Sequence, residues 1–442
     1  MKNIFFVADI LLGLLLIFIG FYVSLNFFIF LITFYWLYLL FFFPNRENNL
    51  TFIYLLIFGI FFVLPMIFLG GEEFIGRGVL FPNVSLEQNE KFIFLAVILI
   101  FLFFFRLSCF FLPKNLPKYQ ENNALKNKAL IYLLFFTSFL WITSYNIREA
   151  LAVYEEGYLN LSSGNLSVSK GLITLGIEQI FIALSILLLS NKNKIGLITF
   201  LFYCLTLMSV GQRMPPLFLA FFGILYYQFL NKKQLKFILP GFFAYIFLIP
   251  IIQLIAVMRS GNLNNFKISD LSSFYLDIWN VIGHSSDTLK ASIADDGLYN
   301  IKVSLLAQFF NIVEVIMERV FNFESFEISN GFAVEFTKAY QPNLYELGIT
   351  FASSSIAEAY YFGGVLLVAI LGFITPFISS FLERSMRTTN LFYLAIFFTF
   401  APRFFTSIRN EMFGWLISGS IYFLVLLPFL YFVYRTFLLK KS

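Results

Sequence analysis

Four arginines stand where a side chain can lean into an apolar bundle from one face. Arg213 sits in Gly211-Gln212-Arg213, a tight turn between two apolar runs, and Arg259 ends another run. Arg403 and Arg409 bracket the turn between the last two runs. An arginine at membrane depth costs about 2.5–3.5 kcal/mol on insertion scales, so several on one face need a reason. Guanidinium groups grip phosphate oxygens in bidentate fashion, which suits them to a phosphate-bearing anion. The plainer alternative is that they snorkel or meet lipid headgroups.

Groups that could move a proton lie nearby in sequence. His284 is the one histidine, in Gly283-His284-Ser285-Ser286-Asp287, and an imidazole near its ordinary pKa suits a general base. The acidic candidates are Asp287, Glu178 within an apolar run, and Glu358 in Ser353-Ser354-Ser355-Ile356-Ala357-Glu358. Glu358 falls where the chain re-enters an apolar run, so it could orient an arginine or accept a sugar hydroxyl. The helix macrodipole would favour an acid there in any case.

Metal chemistry is not indicated. There is no D-x-D, and a lone histidine cannot form a zinc cluster. Glu72-Glu73 and Asp295-Asp296 are adjacent pairs whose side chains are not expected to face one centre. P-loop and G-x-S-x-G patterns are also missing, so neither a cofactor nor nucleotide-driven transport is expected.

The elements that must carry these residues are membrane helices. Hydrophobic residues are 60% of the 442, and charged residues only 12%. Soluble chains carry about a quarter charged residues, so an ordinary cytosolic enzyme is excluded. The 65 phenylalanines accompany abundant Ile, Lys and Asn, all read from AT-rich codons, so they mark coding bias rather than a stacking site. No basic-aromatic interleaving suggests nucleic acid. Cys109 and Cys204 fall in separate apolar runs, so no disulfide framework is expected. The first run follows Lys2 without a small-x-small cleavage pattern and reads as a spanning helix.

A spanning helix needs about twenty apolar residues. Such runs lie near 4–22, 24–43, 51–69, 92–112, 129–147, 171–190, 195–210, 215–230, 237–257, 360–381, 391–405 and 413–434. The expected fold is an all-α polytopic integral membrane protein of about twelve helices. Lysines and arginines crowd one set of short loops, including Lys114, Lys118, Lys192, Lys232, Arg384 and Arg435. That side is therefore read as cytoplasmic, with both termini on it. Arg106 lies near the inner end of its run and is expected to snorkel.

Residues 1–258 then form helices one to nine, 259–352 a long outer loop, and 353–442 helices ten to twelve. The loop is itself partly helical. Residues 299–321 repeat at helical period, with Ser304, Gln308, Asn311, Glu314 and Glu318 in a polar stripe. Residues 270–290 read as a second helix, lying on the membrane surface or against the bundle, with Phe274, Tyr275 and Trp279 as interfacial residues, and a re-entrant hairpin is the alternative for either segment.

The chain as a whole resembles the O-antigen polymerase family, Wzy, of Gram-negative bacteria. The features that carry this are the many helices with one long outer loop, the Gly-x-Arg turn at Gly211–Arg213, and Ser355-Ile356-Ala357-Glu358-Ala359-Tyr360-Tyr361-Phe362-Gly363-Gly364. That last segment is similar to the family pattern I-A-E-x-Y-x-N-F-G-x-x-G. The resemblance implies a glycosyltransferase of the inner membrane that polymerises undecaprenyl-diphosphate-linked oligosaccharide repeat units at the periplasmic face. On this reading Arg213, Arg259, Arg403 and Arg409 bind the lipid diphosphate, and His284, Glu358 or Asp287 takes the acceptor proton. Membrane lipid, a Wzz-like chain-length regulator and a Wzx-like flippase are the partners it implies. The related O-antigen ligase shares the topology and the arginines. A flippase handles the same lipid but should carry charges along a cavity through the bilayer, whereas these residues gather at one face.

Overall fold

A computed structural model describes residues 2–20, 22–42, 49–77, 84–113, 125–156, 172–210, 214–231, 271–294, 332–343, 353–388, 390–409, 412 and 414–438. Helices dominate the described residues, and no strand longer than an isolated bridge occurs among them. The runs are helical because a helix pairs its backbone groups within one segment, which hydrocarbon demands. Six described helices are long and apolar enough to cross a membrane, among them Asn49–Phe68, Gln88–Cys109 and Ser355–Met386. Leu11, Phe18, Leu133, Leu140, Leu366 and Leu424 are exposed, as expected of side chains facing lipid. The protein is an all-α, multi-pass membrane protein.

The chain forms two compact units. Unit 1 comprises residues 1–115, 268–381 and 407–417. Its helices are α1 (Lys2–Gly20), α2 (Leu25–Phe41), α3 (Asn49–Phe68), the short α4 (Gly71–Gly76), α5 (Gln88–Cys109), α10 (Leu271–Ala294), α11 (Phe332–Tyr340) and most of α12 (Ser355–Met386). Aromatic stacking fills the space between α3 and α5, with the Phe58 and Phe101 centroids 4.7 Å apart at 16°.

Arg106 departs from expectation. It does not snorkel but is 6% exposed and paired with Asp9 of α1. Its Nε and Nη2 donate to Asp9 Oδ2 at 3.0 and 2.6 Å, and Nη1 donates to the Phe42 carbonyl at 2.8 Å. The Tyr38 hydroxyl donates to the other Asp9 oxygen. A buried charge must be paired this fully, because removing one partner costs about 3–5 kcal/mol.

The helix expected near 270–290 is α10, and it packs against the bundle rather than lying at an interface. Trp279 is buried and stacks on Phe68 of α3 at 4.5 Å. The side chains of Phe274 and Tyr275 lie outside the described residues, as do the segments 237–257 and 299–321. Helix α12 starts five residues earlier than the apolar run implies, which places Glu358 inside its first turn. It is broken at Gly363 and Gly364. Gly364 holds φ 55° and ψ −149°, a region closed to residues with a Cβ.

Unit 2 comprises residues 116–267, 382–406 and 418–442. It holds α6 (Lys128–Glu156), α7 (Leu172–Ser190), α8 (Lys194–Val210), α9 (Met214–Leu230), α13 (Leu391–Thr406) and most of α14 (Gly414–Phe437). Phe222 of α9 meets Phe405 and Phe397 of α13 edge-on at 4.9 and 5.6 Å. Helix α6 runs nine residues past the predicted end at 147, so Glu149 is a buried helical residue rather than a loop residue.

Candidate functional site

In unit 1, Glu358 is fully buried and ties two segments together. Ser354 Oγ accepts from the Ala357 N–H at 3.1 Å, capping the start of α12. Glu358 Oε1 accepts from Ser353 Oγ at 2.8 Å, and Oε2 accepts from the Met412 N–H at 2.8 Å. The Ser355 N–H donates to the Ser407 carbonyl at 3.1 Å. The turn that carries Arg409 is thus held on both sides by the start of α12. Sequence reasoning foresaw a carboxylate here that could orient an arginine. The Met412 N–H joins Glu358 to the turn that carries Arg409.

Asp287 lies in the buried half of α10, where Ser285, Ser286 and Thr288 are buried too. Its Oδ1 accepts from Lys290 Nζ at 3.0 Å, with both side chains at 0% exposure. Lys290 Nζ also donates to the Arg77 carbonyl at 3.0 Å and sits 3.9 Å from the Phe74 ring centroid. Burial pushes the Lys290 pKa down, and the Asp287 carboxylate opposes it. His284 is on the same helix, but its side chain lies outside the described residues. Arg213 and Arg259 lie outside them entirely.

Arg403 is in the last turn of α13, in unit 2, and half-buried. Its Nη1 donates to the Thr399 carbonyl at 2.6 Å, and its guanidinium carbon stands 4.0 Å from the Tyr422 ring centroid. A guanidinium on an aromatic face is held in a fixed orientation. Tyr203 and Tyr422 both lie within its electrostatic range. The Tyr203 hydroxyl donates to Glu178 Oε1 at 2.6 Å. Glu178 in turn lies within range of Tyr145, as does Glu149 one turn along α6. Asn146 Nδ2 donates to Thr206 Oγ1 at 3.0 Å, and Thr206 Oγ1 donates to the Tyr203 carbonyl at 2.8 Å, closing the cluster.

This cluster gathers the Arg403 guanidinium, two buried carboxylates and three phenols from the five helices α6, α7, α8, α13 and α14, with Arg148 also within range of Tyr145. Sequence reasoning singled out Arg403 and Glu178 but passed over Tyr145, Glu149, Tyr203 and Tyr422. Tyrosines are frequent in this chain, and nothing local distinguishes these. Chemically, such a cluster can bind an anionic group through the guanidinium while a carboxylate–phenol pair handles a proton.

A family model described as O-antigen polysaccharide polymerase Wzy matches residues 2–441. No curated protein and no solved structure matches the chain. The match runs through every helix of both units, including the Glu358 knot and the Arg403 cluster, and the chain belongs to the Wzy family of O-antigen polysaccharide polymerases.

Proposed function

We propose that the protein joins undecaprenyl-diphosphate-linked oligosaccharide repeat units into a surface polysaccharide at the periplasmic face of the inner membrane. The observation that carries this reading is the family match over nearly the whole chain. The crowding of lysine and arginine on one set of loops supports a cytoplasmic location for both termini. A Wzz-like regulator and a Wzx-like flippase are the partners this activity calls for.

The donor is the growing glycan on its lipid diphosphate, and the acceptor is a sugar hydroxyl of the next unit. As the acceptor oxygen attacks the anomeric carbon, the bond to the diphosphate breaks and negative charge grows on the leaving group. Arg403, fixed on Tyr422, is assigned to meet that charge, with Arg213, Arg259 and Arg409 as further diphosphate ligands. A single displacement inverts the anomeric carbon. The acceptor proton is assigned to His284, because Glu358 and Asp287 already engage a backbone N–H and a lysine. One observation favours a second reading: Glu178 shares the cluster of Arg403 through Tyr203, so it too could take the proton.

The reaction is proposed to need no divalent metal, since the arginines supply the positive charge. Purified protein supplied with the host's lipid-linked repeat unit should build chains with chelator present. Inhibition by chelator that added metal reverses would refute this part, and no chains under any condition would refute the polymerase reading.

A further inference from the structure

Unit 1 holds an open cleft of about 760 Å³ whose polar lining is Asn26, Glu72, Glu73, Arg77 and Lys91. Adjacent carboxylates were not expected to face one centre, yet Glu72 and Glu73 both line it from the short helix α4. The volume falls within the range of small-ligand sites. Gly70, Gly71 and Gly76 also line it, and Gly70 holds φ 80°, where an added Cβ would meet nothing within 4 Å. A ligand ring can therefore lie close against the backbone.

The walls are braced. Arg77 bridges to Ser85, and the Leu86 N–H donates to the Gly76 carbonyl at 3.1 Å. Glu87 and Glu90 form a capping box that starts α5. The buried Lys290 of α10 grips the Arg77 carbonyl. The cleft is thus fastened to a helix of the long 259–352 segment.

Charge decides what fits. Two carboxylates face two cations, and Lys91 Nζ lies 3.4 Å from Glu72 Oε1. A diphosphate wants uncompensated positive charge, which this cleft does not offer. Sugar hydroxyls each donate and accept, so they suit carboxylate and amide acceptors set beside ammonium and guanidinium donors. We propose that this cleft binds the glycan of the lipid-linked substrate, apart from its diphosphate. This rests on the polymerase reading above. The glycan is either the single repeat unit of the acceptor or the chain end of the donor.

The test uses full-length protein in nanodiscs and two probes: the single-unit oligosaccharide freed by mild acid from the host's lipid-linked repeat unit, and the long polymer freed in the same way. Saturation-transfer NMR on wild type should show binding of at least one probe, and which one binds separates acceptor from donor glycan. Glu73→Gln with Arg77→Gln should weaken that binding about tenfold or more, since two charge-assisted contacts are lost. Glu73 and Arg77 are exposed, and the substitution keeps the Arg77 carbonyl, so folding should hold. Asn26→Ala, on a different helix, should weaken it less. In cells the double variant should give shorter chains at equal protein abundance. Undiminished binding in the double variant, or no binding of either probe to a wild type that still makes long chains, overturns the cleft and leaves the polymerase reading standing. A wild type that makes no chains overturns that reading, and the cleft with it.

Discussion

Glu358 in unit 1 and Glu178 in unit 2 are both buried carboxylates on membrane helices, yet their surroundings differ in kind. Glu358 accepts from a serine hydroxyl and a main-chain N–H, contacts that fasten a helix start to a turn. Glu178 accepts from a phenol that lies within range of a guanidinium and a second phenol. The first arrangement fixes backbone. The second groups side chains that can bind charge and exchange protons. Burial of an acid therefore does not by itself mark chemistry, and its partners decide which kind it is.

The largest expected effect tests where the base lies. His284→Ala should lower the polymerisation rate by roughly 10²–10⁴-fold at unchanged protein abundance, the usual loss for a general base. Glu178→Gln should cost less. If Glu178→Gln gives the larger fall and His284→Ala leaves long chains, the base moves into the Arg403 cluster and the contrast between the two carboxylates sharpens.

Next in size is a stability effect in unit 1. Asp287→Ala leaves the Lys290 ammonium buried without its carboxylate. That should destabilise the protein by about 3–5 kcal/mol, read as a lower melting temperature in detergent and less protein in membranes. Lys290→Met together with Asp287→Leu should recover much of the loss. A fully stable Asp287→Ala variant would mean that the pair carries no structural weight.

Arg403→Lys keeps the charge and loses the planar fork stacked on Tyr422. A lost charge-assisted contact costs about 1.5–3 kcal/mol, so turnover should drop roughly ten- to a hundred-fold. Wild-type turnover in this variant would reduce Arg403 to an interfacial anchor. It would also remove the main reason for reading chemistry into unit 2.

The smallest effect breaks the comparison if it fails. Glu358→Gln keeps the shape and should cost about 1–3 kcal/mol of stability, while the folded fraction turns over normally. Single-turnover rates per folded molecule, measured beside a melting curve, separate the two quantities. A hundred-fold slower folded enzyme would make Glu358 a chemical residue after all.

Among the described residues, the apolar runs were enough to locate the helices, and they determine the membrane class, because hydrocarbon admits a backbone only when its own segment satisfies it. The I-A-E…G-G segment stood out through its likeness to a family pattern, and Gly364 holds a conformation that demands glycine. Helix ends were less legible, as α6 and α12 show. Polar residues extend both helices beyond the apolar stretch, which hydropathy does not register.

What only the tertiary structure decided was partnership. Arg106 meets Asp9 from 97 positions away, Met412 meets Glu358 from 54, and Tyr203 meets Glu178 from 25. Each separation joins different elements, so no helical spacing within one run encodes it. A buried charge has to find a partner, and the sequence shows that need for Glu178 inside its apolar run, whereas Arg106 reads as a snorkelling residue and Asp287 as part of an outer loop. Which partner it finds depends on how helices pack and which faces meet, and those are properties of the folded chain rather than of any one segment.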